Sequence, residues 1–358
     1  MAISAIDTVS LAFRHTRQQL FQPFRFGQWV RLAIVGLLAG ELGSGGSGNL
    51  RSNFGPGGAQ PLPPGFPHID PAILGAIIAL LIVVGLIFFV VMTYISSVMR
   101  FILFDSVLSK YCRIGEGWSR RQGPGFKLFL WHLGFGLLVF FGVVVLIGIP
   151  AAFAYTNGWF SAPRAHMQGW ILGGLAVFCV GMLFVLAVAV VHVFTKDFVV
   201  PQMALEGIGP IEAWSRLWPM LQAEKGDYAL YVIVKIALAI VAAILVGITS
   251  VIIGVIIALP AIGMVVAAVI AGKSAGLTWN VFTITAAVVA GCILLALFLF
   301  LVSIISVPVM VFFPAYSIYF FAPRYRALGL VLYPAPPATV TGTAPQGFTP
   351  PPAPLPAG

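Results

Sequence analysis

Two of the aspartates stand near the ends of long apolar segments, and each is followed by the tripeptide Trp-Ser-Arg. These sets are Asp105 with Trp118-Ser119-Arg120 and Asp197 with Trp214-Ser215-Arg216. A carboxylate at the C-terminal end of a helix meets the negative end of the helix dipole, so it needs a cation nearby. We therefore predict that each aspartate pairs with the arginine of its own tripeptide, Arg120 or Arg216. A structural clamp is the favoured interpretation of these pairs, and a cation or proton site is the alternative.

The second tripeptide belongs to a segment with an apolar stripe. From Pro210 to Ala223, apolar residues recur at helical spacing, namely Ile211, Trp214, Leu217, Trp218 and Leu221. Tryptophan is enriched at membrane interfaces, so we interpret this segment as an in-plane helix that Trp214 and Trp218 anchor among the lipid head groups. The alternative is that the same tryptophans form a docking surface for a partner protein.

Few other ionisable residues lie within the apolar segments. We interpret Lys235 as a lysine whose long stem lifts its ammonium group to the membrane interface. His132 and His192 are close to the same interface, and neither has a second metal ligand at helical spacing. The zincin, P-loop, Rossmann and nucleophile-elbow motifs are all missing from the sequence. We therefore predict no catalytic, cofactor-binding or metal-binding residue, and an enzyme would need an unfamiliar site.

The composition decides the class of protein that must hold these residues. Of 358 residues, 60% are hydrophobic and only 8% are charged, and the mean hydropathy is +1.05. A water-soluble surface needs far more charge, and lipid requires every backbone polar group to be paired within the chain. The sequence therefore predicts an all-α, polytopic transmembrane helix bundle. The net charge of +9 is spread over short loops, so it indicates membrane orientation and no nucleic-acid partner.

Apolar runs within a transmembrane domain at 29–323 are the candidates for membrane spans. The predicted spans, about six in number, are residues 29–40, 72–104, 126–155, 170–194, 228–257 and 281–313. Pro260 divides the apolar stretch after the fifth span from a piece that is too short to cross a membrane. We predict that this piece, residues 260–272, is a re-entrant or interfacial helix, and a seventh span is the alternative.

The two ends of the chain have contrasting patterns. Residues 1–28 combine apolar residues at helical spacing with basic residues between them, which predicts an amphipathic helix on the membrane surface. Residues 334–358 are rich in proline and threonine without apolar periodicity, which predicts a disordered tail. Lysine and arginine gather in the segments on the side of both ends, so we place the N- and C-termini in the cytoplasm.

The two sets of aspartate and Trp-Ser-Arg also suggest an internal repeat. Each set follows a helix that descends toward the cytoplasm and precedes one that ascends, so the two units have the same orientation. Parallel repeats of this kind, related by an axis along the membrane normal, occur in transporters. Chance similarity between apolar sequences is the alternative.

The segment after the fourth span carries a family resemblance. The run Lys196-Asp197-Phe198-Val199-Val200-Pro201, with Glu206-Gly207 and Glu212-Ala213-Trp214-Ser215, resembles the signature region of uncharacterised bacterial membrane proteins. It is similar to the membrane domain of some glycerophosphodiester phosphodiesterases and to YciC-like proteins, and the segment Leu20-Phe21-Gln22-Pro23-Phe24 also fits them. This sequence has no counterpart of the phosphodiesterase catalytic domain. The resemblance implies a membrane module, and it places that module in a bacterial cytoplasmic membrane.

Three functions are open on these grounds. The leading hypothesis is a non-enzymatic membrane module that binds membrane lipids or a partner membrane protein through its basic surface helix and its tryptophan-rich segment. The second is a transporter or channel with a site between two parallel repeats, which involves Asp105 and Asp197. The third is a membrane-embedded enzyme of lipid metabolism, which needs a polar cavity that such apolar spans are poorly suited to line.

Overall fold

The fold is described from a computed structural model, which covers residues 4–41, 71–162, 164–274 and 281–333. Within these ranges the chain forms helices joined by short turns, so the prediction of an all-α bundle is confirmed. The helices are α1 (Ala5–Phe21), α2 (Phe26–Leu38), α3 (Pro71–Ser109), α4 (Ile114–Thr156), α5 (Met167–Phe194), α6 (Val200–Glu206), α7 (Pro210–Ala223), α8 (Lys225–Ser274), α9 (Val281–Phe321) and α10 (Arg326–Leu332). A π-helical turn, Thr195–Val199, joins α5 directly to α6. The predicted tail at 334–358 lies outside the described residues.

Five of these helices, α3, α4, α5, α8 and α9, are long and apolar enough to cross a membrane by length and composition. At about 1.5 Å per residue, the 39 residues of α3 extend well beyond the roughly 30 Å of a hydrocarbon core. The first predicted span, residues 29–40, is instead α2, whose 13 residues cover only about 20 Å. It ends at Leu38, and Gly40, two residues later, has the positive φ of 79° that is common after a helix end. The described part of the chain therefore has one long apolar helix fewer than the six predicted spans.

The predicted surface helix at 1–28 is divided in two. α1 ends at Phe21, Pro23 follows in the turn, and α2 begins at Phe26. Proline lacks a backbone donor and disfavours helical geometry in the residue before it, so a single helix cannot run through this point. Trp29 of α2 donates its indole N–H to the carbonyl of Leu20, 3.1 Å away, and this bond holds the two helices together.

Prolines inside the long helices do not end them. Pro260 lies within α8, which continues well beyond it, so the prediction of a separate short helix at 260–272 is wrong. A proline removes one helical hydrogen bond, but the other bonds continue on both sides, and no water competes for them in lipid. Likewise α4 begins at Ile114 rather than near residue 126, and it passes through Pro150 without a break.

The helices pack closely at one end of the bundle, which we call the α1 end. This end contains α1, α2, α6, α7 and α10, the C-terminal parts of α3, α5 and α9, and the N-terminal parts of α4 and α8. Its core includes the buried aromatic residues Phe101, Phe198, Tyr231, Tyr316 and Phe320. The opposite parts of α3, α4, α5, α8 and α9 carry exposed Leu, Ile, Val and Phe side chains, the surface expected of helices that face lipid.

Candidate functional site

Asp105 has an arginine partner, but it is not the predicted one. Both carboxylate oxygens accept hydrogen bonds from Arg121, each 2.7 Å long. Arg121 also donates to the carbonyl of Ala204 at 2.7 Å, so it connects α3, α4 and α6. Arg120 is exposed, because α4 is already helical here and successive residues point about 100° apart. The predicted pairing of Asp105 with Arg120 is therefore wrong by one residue. The expectation that Asp105 has a cation nearby is confirmed, since Arg121 supplies it.

Asp197 is almost completely buried, and its partners come from α8. Its carboxylate forms an ion pair with Lys235 and accepts a hydrogen bond of 2.9 Å from the hydroxyl of Tyr231. Tyr231 and Lys235 are four residues apart, so they lie on the same face of α8. The interpretation of Lys235 as a lysine that reaches the membrane interface is wrong, because its ammonium group is held inside the bundle. The predicted partner, Arg216, does not bind Asp197.

Arg216 instead joins three small helices at the α1 end. It forms ion pairs with Glu206 of α6 and with Glu212, one turn away on α7. Glu206 also accepts a hydrogen bond from the hydroxyl of Tyr325, which precedes α10. The bond to Glu206 raises the pKa of Arg216, and burial raises the pKa of Tyr325. This group therefore fixes α7 and α10 to α6, and it is separate from the surroundings of Asp197.

A second buried ion pair, which the sequence analysis did not predict, lies beside Asp197. The preceding residue, Lys196, pairs with Glu41, which lies three residues after the end of α2. The side chain of Glu41 is 2% exposed and that of Lys196 is 9% exposed. Taking charges out of water is costly unless they are paired, so this ion pair places strict demands on its surroundings. We call Glu41, Arg100, Lys196, Asp197 and Lys235 the ionic cluster.

The π-helical turn positions Lys196 and Asp197 within the ionic cluster. In a regular helix the carbonyl of Asp197 would accept a hydrogen bond from residue 201, but Pro201 has no N–H to donate. The backbone N–H of Val200 bonds to the carbonyl of Thr195, five residues earlier, as π-helical geometry requires. Single π-helical turns of this kind are frequent at functional sites.

Arg100 of α3 completes the ionic cluster. It is 8% exposed, and one guanidinium nitrogen, Nη2, donates to the carbonyl of Ala39 at 3.3 Å. Its Nε and Nη1 atoms are buried and have no hydrogen-bond partner in the part of the chain that the structure describes. A cavity of about 20 Å³ lies among Arg100, Glu41, Lys196 and Asp197 and is also lined by Leu103, Phe104, Val200, Pro201, Pro314 and Ser317.

His132 and His192 approach each other on α4 and α5. Their ring centroids are 6.2 Å apart, and Nδ1 of His132 lies 3.1 Å from the hydroxyl of Ser97. His132 is half-buried, whereas His192 is exposed. Within the described ranges, no three His, Cys, Asp or Glu side chains are grouped closely enough to hold a metal ion. The two rings link the α3–α4 pair of helices to α5.

The two tryptophans of α7 have different surroundings. The indole N–H of Trp214 donates to the hydroxyl of Thr195 at 3.2 Å, and its ring centroid lies 6.5 Å from that of Trp131. Trp218 is 58% exposed, and Ile211 on the same helix is also exposed. Trp214 therefore packs against the bundle, and Trp218 is the one that faces outward.

α1 binds the bundle through its small and polar face. His15 lies between the carbonyl of Val107, 2.9 Å from Nε2, and the hydroxyl of Tyr319, 3.1 Å from Nδ1. Gln19 donates to the carbonyl of Ser106 at 2.9 Å. Burial lowers the pKa of His15 below its ordinary value of 6.5. Because these contacts use the polar face, Ile6, Phe13 and Phe21 are left on the outside.

The five long apolar helices and their lipid-facing surfaces fit a polytopic α-helical membrane protein. The chain belongs to a family of unknown function, DUF7544, whose family model matches residues 3–331. No curated protein and no solved structure matches the chain significantly. The comparisons thus establish the uncharacterised family, and they do not extend the resemblance to the phosphodiesterase membrane domain or to the YciC-like proteins.

Proposed function

We propose that the protein is a non-enzymatic membrane module that binds anionic lipids at the membrane surface through the outward face of α1. The observation that carries this proposal is the orientation of α1. Its inner face is bonded to α3 and α9 through His15 and Gln19, and large apolar and basic side chains lie on its outer face. The exposed residues of α1 and of the turn after it include Ile6, Phe13, Arg14, Arg17, Phe21, Phe24, Arg25 and Phe26.

The chemistry of this face suits an anionic membrane surface. Phe13 and Arg17 lie one helical turn apart, so an apolar ring and a cation can enter the lipid interface side by side. Each arginine near an anionic leaflet contributes about 1 kcal/mol of attraction. Asp7 is the single acidic residue in the sequence of α1. A helix that is fixed to the bundle pays little additional ordering entropy when it binds lipid.

The same proposal sets the orientation in the membrane. The α1 end carries most of the lysine and arginine residues. We therefore place this end, with α1 and α10, on the cytoplasmic side. The membrane we propose is the bacterial cytoplasmic membrane, in agreement with the family resemblance of residues 196–215. A partner membrane protein could also dock at this end, where Ile211 and Trp218 of α7 are exposed.

Lipid co-purification tests the proposal. The protein is extracted from its native membrane into nanodiscs, and the lipids and proteins that accompany it are identified by mass spectrometry. We expect anionic lipid to be enriched, and the double variant Arg14→Gln, Arg17→Gln to lose most of this enrichment. The control is Arg164→Gln, an exposed arginine at the opposite end of the bundle. Equal enrichment in the double variant would contradict lipid binding by α1, and a stoichiometric protein partner would favour a docking role.

A second candidate function, a carrier for a small ion, is favoured by the ionic cluster. Arg100 and His132 belong to the proposed first repeat, α3 and α4, whereas His192 and Lys235 belong to the proposed second, α5 and α8. Charges inside a membrane domain generally mark an ion pathway or a binding site. A site between two parallel repeats is the arrangement found in transporters of that architecture.

Ion flux into liposomes tests the carrier. Asp197→Asn changes the ionic cluster and should abolish flux, whereas Asp105→Asn changes the clamp with Arg121 and should lower only the amount of folded protein. If liposomes that contain the unaltered protein show no more ion flux than protein-free liposomes, the carrier function is excluded. Such a result would leave the lipid-binding proposal intact, because the two use different residues.

A further inference from the structure

The ionic cluster contains one more positive charge than negative. Its cations are Arg100, Lys196 and Lys235, and its carboxylates are Glu41 and Asp197. Each carboxylate already has an ammonium partner, since Glu41 pairs with Lys196 and Asp197 with Lys235. The guanidinium of Arg100 is therefore the cation without a carboxylate of its own within the described residues.

Arg100 is also short of hydrogen-bond acceptors. Its Nε and Nη1 atoms are buried without partners, and the carbonyl of Ala39 occupies only Nη2. An arginine keeps its charge in proteins, so deprotonation cannot relieve this position. A buried charge without a partner is strongly destabilising, especially where lipid surrounds the bundle. The site thus calls for an occupant that accepts hydrogen bonds and carries negative charge.

We propose that the cavity beside Arg100 binds a small monovalent anion of the chloride or bromide type. The cavity, about 20 Å³, has room for a single occupant near the size of a water molecule. Sulfate, phosphate and lipid head groups are too large for it. A water molecule could accept a hydrogen bond from Arg100, but it would leave the excess positive charge in place. A halide ion supplies both the acceptor and the charge.

The surroundings of the cavity add to this argument. Two cations, Arg100 and Lys196, line it together with the carboxylates of Glu41 and Asp197, which Lys196 and Lys235 already pair. Val200 and Pro201 follow the π-helical turn and form one apolar wall. This inference concerns the cluster on which the second candidate function rests, but it requires binding alone. The anion site would therefore stand even if no ion crossed the membrane.

Thermal unfolding in different salts tests the anion site. The purified protein in nanodiscs is unfolded in sodium chloride, bromide, gluconate and sulfate at equal ionic strength. A ligand that binds only the folded state raises the Tm with increasing concentration. We expect chloride and bromide to raise the Tm in a saturable way, relative to gluconate and sulfate.

The Arg100→Gln variant should lose this response, and Arg120→Gln, which alters an exposed arginine, should keep it. A Tm that is equal in chloride and gluconate, or an unchanged response in Arg100→Gln, would overturn the proposal.

A measurement on the unaltered protein covers the case in which Arg100→Gln does not fold. Crystals grown in sodium bromide are examined by anomalous scattering, which distinguishes bromide from water. A bromide peak at hydrogen-bonding distance from Nε and Nη1 of Arg100 supports the site. A water molecule at this position, or no density there, would contradict the proposal. Bromide in the cavity combined with a failure of flux in liposomes would keep the anion site and remove the carrier.

Discussion

The carboxylate of Asp197 and the ammonium group of Lys235 form an ion pair whose side chains are 2% and 11% exposed. Tyr231 strengthens it from the same face of α8 by donating its hydroxyl to Asp197. The ring of Tyr231 in turn stacks on Tyr316 of α9, with centroids 5.1 Å apart and planes 5° from parallel. The pair thus joins the π-helical turn, α8 and α9, and its loss should loosen all three.

Removal of one partner from this pair should cost more than removal of both. Lys235→Met leaves Asp197 as an unpaired buried carboxylate, and we expect a loss of about 3–5 kcal/mol in the free energy of unfolding. The double variant Lys235→Met, Asp197→Asn removes both charges of this pair, so it should be more stable than Lys235→Met alone. Equilibrium unfolding in mixed micelles gives both values. The single variant Asp197→Asn completes the comparison. If the loss in free energy of unfolding of the double variant equals the sum of the losses of Lys235→Met and Asp197→Asn, the two groups do not interact.

The clamp between α3 and α4 offers a comparison of two adjacent arginines. Arg121→Gln breaks two charge-assisted bonds to Asp105 and one to the carbonyl of Ala204, so we expect a loss of about 2–3 kcal/mol. Arg120→Gln changes an exposed side chain and should stay within about 0.5 kcal/mol of the unaltered protein. The same unfolding measurement applies to both. Similar losses for the two variants would contradict the assignment of Arg121 as the partner.

These two ion pairs also show what could be read from the sequence. The need of Asp105 and Asp197 for cations followed from their positions at helix ends, and each has one. The choice between Arg120 and Arg121 depends on where α4 begins, and a single residue turns a side chain by about 100°. The spacing of Tyr231 and Lys235 was a usable signal, because residues four apart share a helix face.

Other features were beyond the reach of sequence patterns. Glu41 and Lys196 are far apart in the chain, and only the packing of α2 against α3 and α9 places Glu41 beside the π-helical turn. Arg100 gives no sign of its missing partners until the fold surrounds it. Pro260 resembled a helix end because proline usually ends helices in water, whereas a long apolar helix keeps its remaining hydrogen bonds. The all-α class was predictable, since composition and hydropathy alone determine it.

The stability of the α1 end should fall in acid through His15. Burial lowers the pKa of His15 below 6.5, so below about pH 6.5 the unfolded chain binds a proton there that the folded chain does not. The contribution of neutral His15 is therefore complete above pH 6.5, and it is lost as the pH falls toward the lower pKa of the folded state. The positive charge of Lys110 also lowers the pKa of His15.

The measurement for His15 is the Tm between pH 7.5 and pH 5. The His15→Gln variant cannot take up the proton, and its other histidines are unchanged, so its Tm should fall less steeply than that of the unaltered protein. The hydrogen bond to Val107 requires a proton on Nε2, which the neutral ring can supply. Parallel curves for the two proteins, or a rise in the Tm of the unaltered protein in acid, would show that His15 does not titrate in this way.

The contact between α3 and α4 should depend on Gly125, whereas another glycine of α4 should tolerate the same substitution. A Cβ atom at Gly125 would lie 2.6 Å from Cγ2 of Val98 and 3.1 Å from its Cα, and the backbone of α3 cannot move aside cheaply. We expect Gly125→Ala to cost about 1–3 kcal/mol through overpacking. Gly134→Ala meets no atom within 4 Å and should stabilise the helix by about 0.5–1 kcal/mol. Opposite signs for these two identical substitutions in one helix would confirm the close approach of α3 and α4 at Gly125, and a stabilising Gly125→Ala would contradict it.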